Sequence, residues 1–501
     1  MDKMEEFISL GSVAPKASLY EGAEAVALLL CRECVPELAG TGLPKDLQAA
    51  VLYAVDKDVT VTDKGKVTEL VLPRGDRFVR LVLAGAGKGR ECTPTNLRRA
   101  AGNAVRVLVR HGVTNAIVAG PVLLHPARNH YLKAVVEGLL LGSYRFDKYK
   151  SDKKTPNPLS ISIVNGVDGA LGALSQGMIT AYAIGHARDL ANEPGNVINP
   201  EVLAEEAEEV AEKYGLDVEV LTEREMAQKG MNAILAVGVG SIHPPRLVTL
   251  TYRGAGDAPF LAFVGKGITF DSGGISLKPG VGMGEMKDDM SGAAAVLGAM
   301  QAIASLQMKV NVLGILACAE NMPSGSAQRP GDIVTAANGK TIEVVNTDAE
   351  GRMVLADAVW YAGEKGATEV VDIATLTGAV IIALGEDISG IVANDDNLAM
   401  AVKLAGHRAG EEWWQLPLLE NADELLASSC ADYKNSAGRP AGTITGGAFI
   451  GHFVKPGLPW AHLDIGGTST AKKTHGHLVE GCTAFGTATL IEYAKSRQVL
   501  P

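Results

Sequence analysis

Short apolar segments alternate with helix-like segments along most of this chain, and this alternation constrains the fold more than any other feature. In the last two thirds of the chain the apolar segments span 247–252, 260–264, 310–317, 342–345 and 370–373. Apolar runs of four to eight residues separated by helical patterns are typical of strands in a parallel sheet. The alternation therefore predicts an α/β fold in which helices connect the strands.

The first third of the chain repeats this alternation on a smaller scale. Segments 77–85 and 115–120 have strand-like patterns, and the segment 97–108 between them has a helical pattern. The polar stretch 148–158 is typical of a surface loop. This part of the chain is therefore predicted to form an α/β unit of its own.

The length of 501 residues favours two domains over one, because single hydrophobic cores rarely grow this large. We predict a smaller N-terminal α/β domain over residues 1–165. A larger C-terminal α/β domain with a mostly parallel central sheet follows over residues 166–501. A helix at about 172–191 is expected to join them.

Composition and charge exclude several classes of protein. The hydrophobic content of 47% is that of a globular protein, and the net charge of −11 argues against nucleic acid as the main partner, because phosphate binding needs clustered Lys and Arg.

The apolar run Ala25–Cys31 is too short to span a membrane. Residues Met1–Glu6 carry no targeting signal. Six scattered cysteines show no disulfide framework, which indicates a cytoplasmic protein.

The chemistry is concentrated in the segment Asn346–Arg352. Asp348 and Glu350 are two residues apart, so in an extended segment both carboxylates point to the same side. Arg352 adds a cation that keeps its proton. Buried charges of this kind are costly unless something pairs them, and a pair of metal ions is the simplest partner.

A glycine-rich segment upstream supplies further groups of the same kind. Lys266, Asp271, Lys278 and Asp289 all lie close behind the apolar segment 260–264. Ligands of open α/β sheets bind beyond the carboxyl ends of the strands. A lysine held against a divalent cation can lose its proton and bind as a neutral amine. We therefore expect these residues to join Asp348 and Glu350 in one site, with residues 285–295 forming the start of a helix.

These segments resemble the signatures of the leucyl aminopeptidase (cytosol aminopeptidase) family, which are two-metal exopeptidases. Segments 192–196, 244–247, 372–379 and 460–465 also resemble the family. The resemblance runs from about residue 165 to near the C-terminus, and the first third matches only in general character. It implies a macro-domain-like N-terminal domain, a homo-hexamer and removal of N-terminal residues, preferably apolar ones such as leucine, from peptides.

The resemblance also assigns the metal ligands. Lys266, Asp271, Asp289 and Glu350 would hold one divalent cation, and Asp271, Asp348 and Glu350 would hold a second. The four carboxylates balance two such cations if Lys266 is neutral. Oxygen ligands alone suit Mg²⁺ or Mn²⁺, whereas the lysine nitrogen and the resemblance favour Mn²⁺ or Zn²⁺. Two metals can activate water at neutral pH.

The remaining site residues follow from the same resemblance. Lys278 would stay protonated and stabilise an oxyanion, and Arg352 would hold an anion, bicarbonate in the family. Met286, Thr375 and Gly378 would line the pocket for the first side chain. Two alternatives stay open: Lys278 as a solvated surface residue, and Arg352 as an ion-pair partner of neighbouring carboxylates.

The chain departs from the family at Gly466–Thr470, where relatives commonly read Ala-Gly-Thr-Ala. The preference for leucine is therefore less firmly implied than peptide hydrolysis. Two other functions stay open. A two-metal phosphohydrolase would need more basic residues than Lys278 and Arg352 to bind phosphate. A DNA-binding or scaffold protein is the other, since some relatives bind DNA.

Overall fold

The computed structural model describes residues 7–124, 129–152, 155–166 and 169–499. Residues 1–6, which carry the prediction about a targeting signal, lie outside this part of the chain. So do residues 153–154 of the predicted polar loop, whose described residues form neither helix nor strand. No helix in the described part combines the length and the apolar character needed to cross a membrane.

The chain divides into two compact units. The first comprises Met1–Gly185 with Ala471–Gly481, and the second comprises His186–Thr470 with Cys482–Pro501. A helix over Ala170–Asn192 passes from the first unit into the second, at the place where the sequence predicts a linking helix.

The first unit is an α/β unit built on one six-stranded sheet. Its strands are β1 (Ile8–Val13), β2 (Ala25–Cys31), β3 (Val67–Arg74), β4 (Arg77–Gly87), β5 (Asn115–Ala119) and β6 (Leu159–Val164). Its helices are α1 (Lys45–Lys57), α2 (Pro94–Arg110), α3 (Asn129–Ser143) and the linking helix α4 (Ala170–Asn192). The strand order is β1-β6-β5-β2-β4-β3, and all pairs are parallel except β3 with β4. This confirms the smaller N-terminal α/β domain.

A disulfide joins Cys31, at the end of β2, to Cys92, just before α2, with 5.8 Å between the Cα atoms. The cysteine spacing gave no sign of this bridge, because the two residues are 61 positions apart and meet only through the sheet. The sequence analysis found no disulfide framework among the six cysteines and did not predict this single bridge.

The second unit contains most of the remaining elements. Its strands are β7 (Asp217–Leu221), β8 (Arg246–Arg253), β9 (Phe260–Asp271), β10 (Asn311–Asn321), β11 (Ile333–Thr335), β12 (Thr341–Glu343), β13 (Ala367–Ala374), β14 (Ile388–Ala393), β15 (Glu412–Gln415), β16 (Tyr433–Lys434) and β17 (Trp460–Asp464). The two-residue strands β18 (Thr470–Ala471) and β19 (Gly481–Cys482) lie where the segment Ala471–Gly481 begins and ends, so each has one residue in each unit. Its helices are α5 (Pro200–Tyr214), α6 (Glu223–Gln228), α7 (Asn232–Gly238), α8 (Ser291–Ser305), α9 (Gly351–Glu364), α10 (Ala379–Leu384), α11 (Asp396–Ala409), α12 (Ala422–Leu426), α13 (Gly442–Gly451) and α14 (Thr487–Ser496).

The main sheet of this unit has eight strands in the order β15-β14-β17-β13-β9-β10-β8-β7. Its four central strands, from β17 to β10, are parallel to one another. This confirms the larger α/β domain with a mostly parallel central sheet. The predicted strand 342–345 has a different place, since β12 pairs with β11 and β16 in a small separate sheet.

Helix α8 is buried along almost its whole length and packs against β9. A side chain at Gly265 of β9 would place its Cβ 2.6 Å from Ala293 Cα, so glycine is required for this close approach. The helix begins at Ser291, within the segment 285–295 that was predicted to form its start, and the first residues of that segment lie in a short 3₁₀ turn over Met283–Asp288. The contact brings Asp289, two residues before α8, to the sheet.

Candidate active site

Strand β9 itself carries two of the predicted site residues. Lys266 and Asp271 were expected to follow the strand, but hydrogen bonding to β10 continues through the pairs Lys266–Ala317 and Asp271–Asn321. The strand is therefore longer than its apolar segment suggests. Because Lys266 lies inside the sheet, only 2% of its surface is exposed.

The Lys266 ammonium group lies between two carboxylates. Its Nζ is 2.8 Å from Asp289 Oδ2 and 2.9 Å from Glu350 Oε1, and it donates to the carbonyl oxygen of Thr375 at 3.0 Å. Burial alone would lower the pKa of Lys266, but Asp289 and Glu350 outweigh it and raise that pKa above its usual value. In the absence of a competing cation, Lys266 is therefore protonated.

The second lysine makes a similar pair of contacts closer to solvent. Lys278 Nζ is 2.8 Å from Asp271 Oδ2 and 2.5 Å from Asp348 Oδ1, and 22% of the side chain is exposed. The carboxylates raise its pKa against the opposing effect of burial, so Lys278 also stays charged. Gly273, at φ +86°, makes room for this arrangement, since a Cβ there would lie 2.8 Å from Asp348 Oδ1. The alternative of Lys278 as a fully solvated surface residue does not agree with these contacts.

Asp348 and Glu350 reach the site from a turn and not from an extended segment. Residues 347 and 348 form the turn, and Glu350 is the N-cap of α9. The sequence analysis placed both carboxylates on one side because it assumed an extended segment, and that assumption was wrong. The outcome is similar, because ligand oxygens of Asp271, Asp348 and Glu350 lie within 4.8 Å of one another.

The four carboxylates outnumber the two ammonium groups that contact them, which leaves two negative charges uncompensated. Burial raises the pKa of Asp289 well above its usual value and that of Asp348 to about 6. Burial and the Glu350 charge raise the pKa of Asp271. Burial also acts on Glu350, but the neighbouring lysines lower the pKa of that carboxyl overall. A cluster with excess negative charge favours added cations.

Three buried oxygens of this cluster, Asp289 Oδ2, Asp348 Oδ1 and Glu350 Oε2, accept no hydrogen bond from the described residues, and the first two are paired with lysines. Glu350 Oε2 accepts no hydrogen bond from any described residue, although Glu350 is only 2% exposed. Buried carboxylate oxygens normally find a donor or a metal. The donor set of Asp271, Asp348 and Glu350, with Lys266 and Asp289 adjoining, therefore fits divalent cations.

Arg352 is buried beside the cluster and forms no ion pair with any residue that the structure describes. Its Nη1 donates to the carbonyl oxygen of Asn435 at 3.1 Å, and its Nε has no acceptor within the described part of the chain. Burial lowers the pKa of Arg352, and the charges of Glu350 and Asp464 oppose this effect. The sequence analysis also considered Arg352 as an ion-pair partner of neighbouring carboxylates. Among the described residues, Arg352 forms no such pair.

Two asparagines that the sequence analysis missed support these groups. Asn321 Nδ2 donates to Asp271 Oδ1 at 2.8 Å and to the Thr347 carbonyl at 3.0 Å. Asn435 Nδ2 donates to the Asn346 carbonyl at 2.7 Å. Asn321 could have been noticed as a polar residue at the carboxyl end of an apolar strand, whereas nothing near Asn435 in the sequence marks it.

The predicted pocket residues occupy different surroundings. Thr375 Oγ1 donates to Asp289 Oδ1 at 2.7 Å, so Thr375 belongs to the cluster. Met286 lies half-buried in the 3₁₀ turn before α8, and Gly378 is exposed at the start of α10. No contact recorded for these two places them at one pocket, and their role as pocket residues stays a prediction.

Comparison with known families accounts for this combination of fold and acidic site. The catalytic domain of the cytosol aminopeptidase family matches residues 185–491. The chain belongs to this family. The N-terminal domain of the cytosol aminopeptidase family also matches, over residues 33–153, so the resemblance extends further toward the N-terminus than the sequence analysis allowed. The protein is a metallo-aminopeptidase, a hydrolase that acts on peptides.

Curated relatives carry the same family name. The chain is 46% identical over 457 residues to a probable cytosol aminopeptidase of Syntrophotalea carbinolica, covering 89% of this chain and 91% of the relative. It is 41% identical over 496 residues to a probable cytosol aminopeptidase of Geobacter sulfurreducens, covering 97% and 99%.

Two solved structures are similar to this chain over nearly its whole length. A mutant of tomato leucine aminopeptidase superposes with a TM-score of 0.87 at 31% identity, covering 98% of this chain and 97% of the other. The bottromycin maturation enzyme BotP in complex with Mn superposes with a TM-score of 0.84 at 34% identity, covering 95% and 100%.

Proposed function

We propose that this metallo-aminopeptidase hydrolyses the first peptide bond of peptides with two divalent cations, and that it prefers apolar N-terminal residues such as leucine. The convergence of Asp271, Asp348 and Glu350, with ligand oxygens within 4.8 Å of one another, is the observation that carries the proposal. The similarity to tomato leucine aminopeptidase supports the leucine preference.

The ligand assignment is the one that the family resemblance implies, and the contacts of the cluster support it. Lys266, Asp271, Asp289 and Glu350 would hold one cation, and Asp271, Asp348 and Glu350 would hold the other. When bound, such ions supply an activated water and stabilise developing negative charge. Mn²⁺ and Zn²⁺ both suit a donor set of carboxylates with one amine, and the Mn-bound BotP structure supports Mn²⁺.

The protonated lysine near solvent has the properties of an oxyanion donor. Lys278 keeps its charge because Asp271 and Asp348 hold its pKa above the usual value, and its partly exposed ammonium group can meet a substrate carbonyl. We therefore assign Lys278 to stabilising the negative charge that develops on that oxygen. Met286, Thr375 and Gly378 are proposed to contact the first side chain.

Chelation tests the proposed function directly. Protein freed of metal by a chelator should lose hydrolysis of leucyl amides and regain it with Mn²⁺ or Zn²⁺, because the carboxylate cluster alone has no group to activate water. Acylating the amino group of the substrate should also abolish turnover. Full activity after verified metal removal would defeat the proposal, and turnover of a chromogenic phosphate ester in place of leucyl amide would indicate a phosphohydrolase.

Arg352 is proposed to hold a small anion such as bicarbonate. Its unpartnered Nε and the absence of an ion pair among the described residues support this role. Arg352→Ala should lower turnover less than loss of Lys278 does, because Arg352 would only hold an exchangeable anion. Stimulation of the wild type by added bicarbonate should disappear in the variant. Equal stimulation of both proteins would contradict the assignment.

Three broader features rest on family membership and stay proposals. A homo-hexamer is implied by the resemblance, and sedimentation velocity would measure it. A cytoplasmic location is supported by the names of the relatives, whereas the Cys31–Cys92 disulfide is unusual in that compartment. The boundary between the two domains near residue 165 also stays a proposal. Nucleic acid is not proposed as the main partner, because the net charge is −11.

A further inference from the structure

A buried carboxylate at the end of β17 holds the loop that follows β13. Asp464 is 0% exposed. Its Oδ1 accepts hydrogen bonds from the backbone N–H groups of Leu376 at 3.2 Å, Thr377 at 3.3 Å and Gly466 at 3.2 Å. Its Oδ2 accepts from Thr377 Oγ1 at 2.6 Å. One side chain therefore satisfies four donors, three of them on the segment 375–378, which we call the 375–378 loop.

The same loop contacts the proposed metal ligands at its other end. The carbonyl oxygen of Thr375 accepts from Lys266 Nζ at 3.0 Å. The hydroxyl of Thr375 donates to Asp289 Oδ1 at 2.7 Å. Thr375, which contacts Lys266 and Asp289, is the neighbour of Leu376, whose N–H group donates to Asp464. Asp464 is therefore linked to these two side chains through the loop, although it does not contact them.

The end of β17 and the 375–378 loop leave no room for a side chain at Gly466. A Cβ added to Gly466 would lie 2.6 Å from the carbonyl oxygen of Thr377, which is far inside van der Waals contact. The backbone oxygen cannot rotate away as a flexible side chain could. A methyl group at Gly466 would therefore displace the loop, and it would also press on Asp464 Oδ1, which lies 3.3 Å from the same Cβ position.

We propose that Asp464 is a positioning residue for the metal centre, because by fixing the 375–378 loop it sets the orientation of Lys266 and Asp289. This inference rests on the proposed function. Groups that orient metal ligands commonly support metal affinity by about 10- to 100-fold. Loss of the anchor should therefore weaken the cation that Lys266 and Asp289 hold.

A purely architectural role for Asp464 is the competing explanation, and the chain offers a matched residue for it. Asp357 is also 0% exposed, and it accepts from the backbone N–H groups of Ile234 at 3.0 Å and Ala337 at 2.8 Å. It anchors backbone in the same unit, but its hydrogen-bond partners Ile234 and Ala337 lie outside the 375–378 loop. Asp357→Ala should destabilise the fold without altering the metal centre.

The experiment measures Mn²⁺ binding to metal-free full-length protein by calorimetry, beside the thermal midpoint of each variant. Asp464→Ala should weaken Mn²⁺ binding by about 10- to 100-fold. Gly466→Ala should weaken it similarly by displacing the loop. Asp464→Asn should bind Mn²⁺ almost as the wild type does, because its amide oxygen can accept the backbone bonds and its NH₂ can donate to Thr377 Oγ1. Asp357→Ala should lower only the thermal midpoint.

Unchanged Mn²⁺ binding in Asp464→Ala, with a lowered thermal midpoint like that of Asp357→Ala, would overturn the inference alone. If Asp464→Ala does not fold, unchanged Mn²⁺ binding in folded Gly466→Ala would overturn it equally. A wild-type protein that binds no Mn²⁺ and hydrolyses no leucyl amide would overturn the proposed function, and this inference would fall with it.

Discussion

Replacing Lys278 by alanine is expected to lower turnover by about 10²–10³, equivalent to roughly 2.7–4 kcal/mol of lost transition-state stabilisation. Lys278 presents a charged donor at the solvent-facing side of the cluster, with 22% of its side chain exposed. Metal content should persist, because the variant leaves the carboxylates of Asp271 and Asp348 without a competing cation. Steady-state kinetics on leucyl amide and elemental analysis of the same preparation would check both results.

Lys266→Ala is the matched comparison, and it should impair the protein differently. Lys266 is almost fully buried between Asp289 and Glu350, so its loss removes a proposed metal ligand and leaves buried carboxylates without their partner. One metal should be lost, and the metal-free variant should be destabilised by about 3–5 kcal/mol, as is usual when one partner of a buried ion pair is removed. If metal falls in Lys278→Ala but not in Lys266→Ala, the two assignments are reversed.

The difference between these lysines could not be read from the sequence. Both follow the same apolar segment, and the sequence analysis separated them only through resemblance. The structure distinguishes them physically, because β9 continues as far as Asp271 and encloses Lys266. Lys278 lies beyond the strand in a glycine-rich loop. How far a strand extends beyond its apolar segment depends on its pairing with neighbouring strands, which a local sequence pattern does not contain.

The α/β alternation predicted both units and most strands of the main sheet, because hydrophobic periodicity is a local property of the chain. The acidic cluster was also predictable, since its members lie in two short segments. Asn435 and Asp464 were not, because each acts on residues more than 80 positions away. Such residues become recognisable only when the sheet order brings β17 beside β13.

A second large effect is expected from pH, through a carboxyl group outside the metal cluster. Asp357 is fully buried, and burial raises its pKa from an ordinary value near 3.8 to about 7, against the backbone donors that lower it. The folded protein therefore binds this proton more tightly than the unfolded chain does. The contribution of Asp357 to stability falls as the pH rises from about 4 to 7, by about 4 kcal/mol in all.

Asp357→Asn isolates this effect, because asparagine keeps the shape and stays neutral. At pH 5 the variant should be less stable than the wild type by about 1–3 kcal/mol, since its NH₂ group must face one backbone N–H. Between pH 5 and 7.5 the wild type should lose about 2–3 kcal/mol more stability than the variant, because every other titrating group is common to both proteins, so the deficit of the variant should close or reverse.

Denaturant unfolding of both proteins at the two pH values would measure the difference, with Asp395→Asn at the start of α11 as a comparison. The Asp395 side chain accepts from Leu398 N at 2.8 Å, and asparagine caps helices about as well as aspartate. Asp395→Asn should therefore follow the wild type across this range. Parallel curves for wild type and Asp357→Asn would show instead that the backbone donors keep Asp357 ionised despite its burial. In that event, hydrogen bonding to Ile234 and Ala337 would outweigh desolvation at this carboxylate.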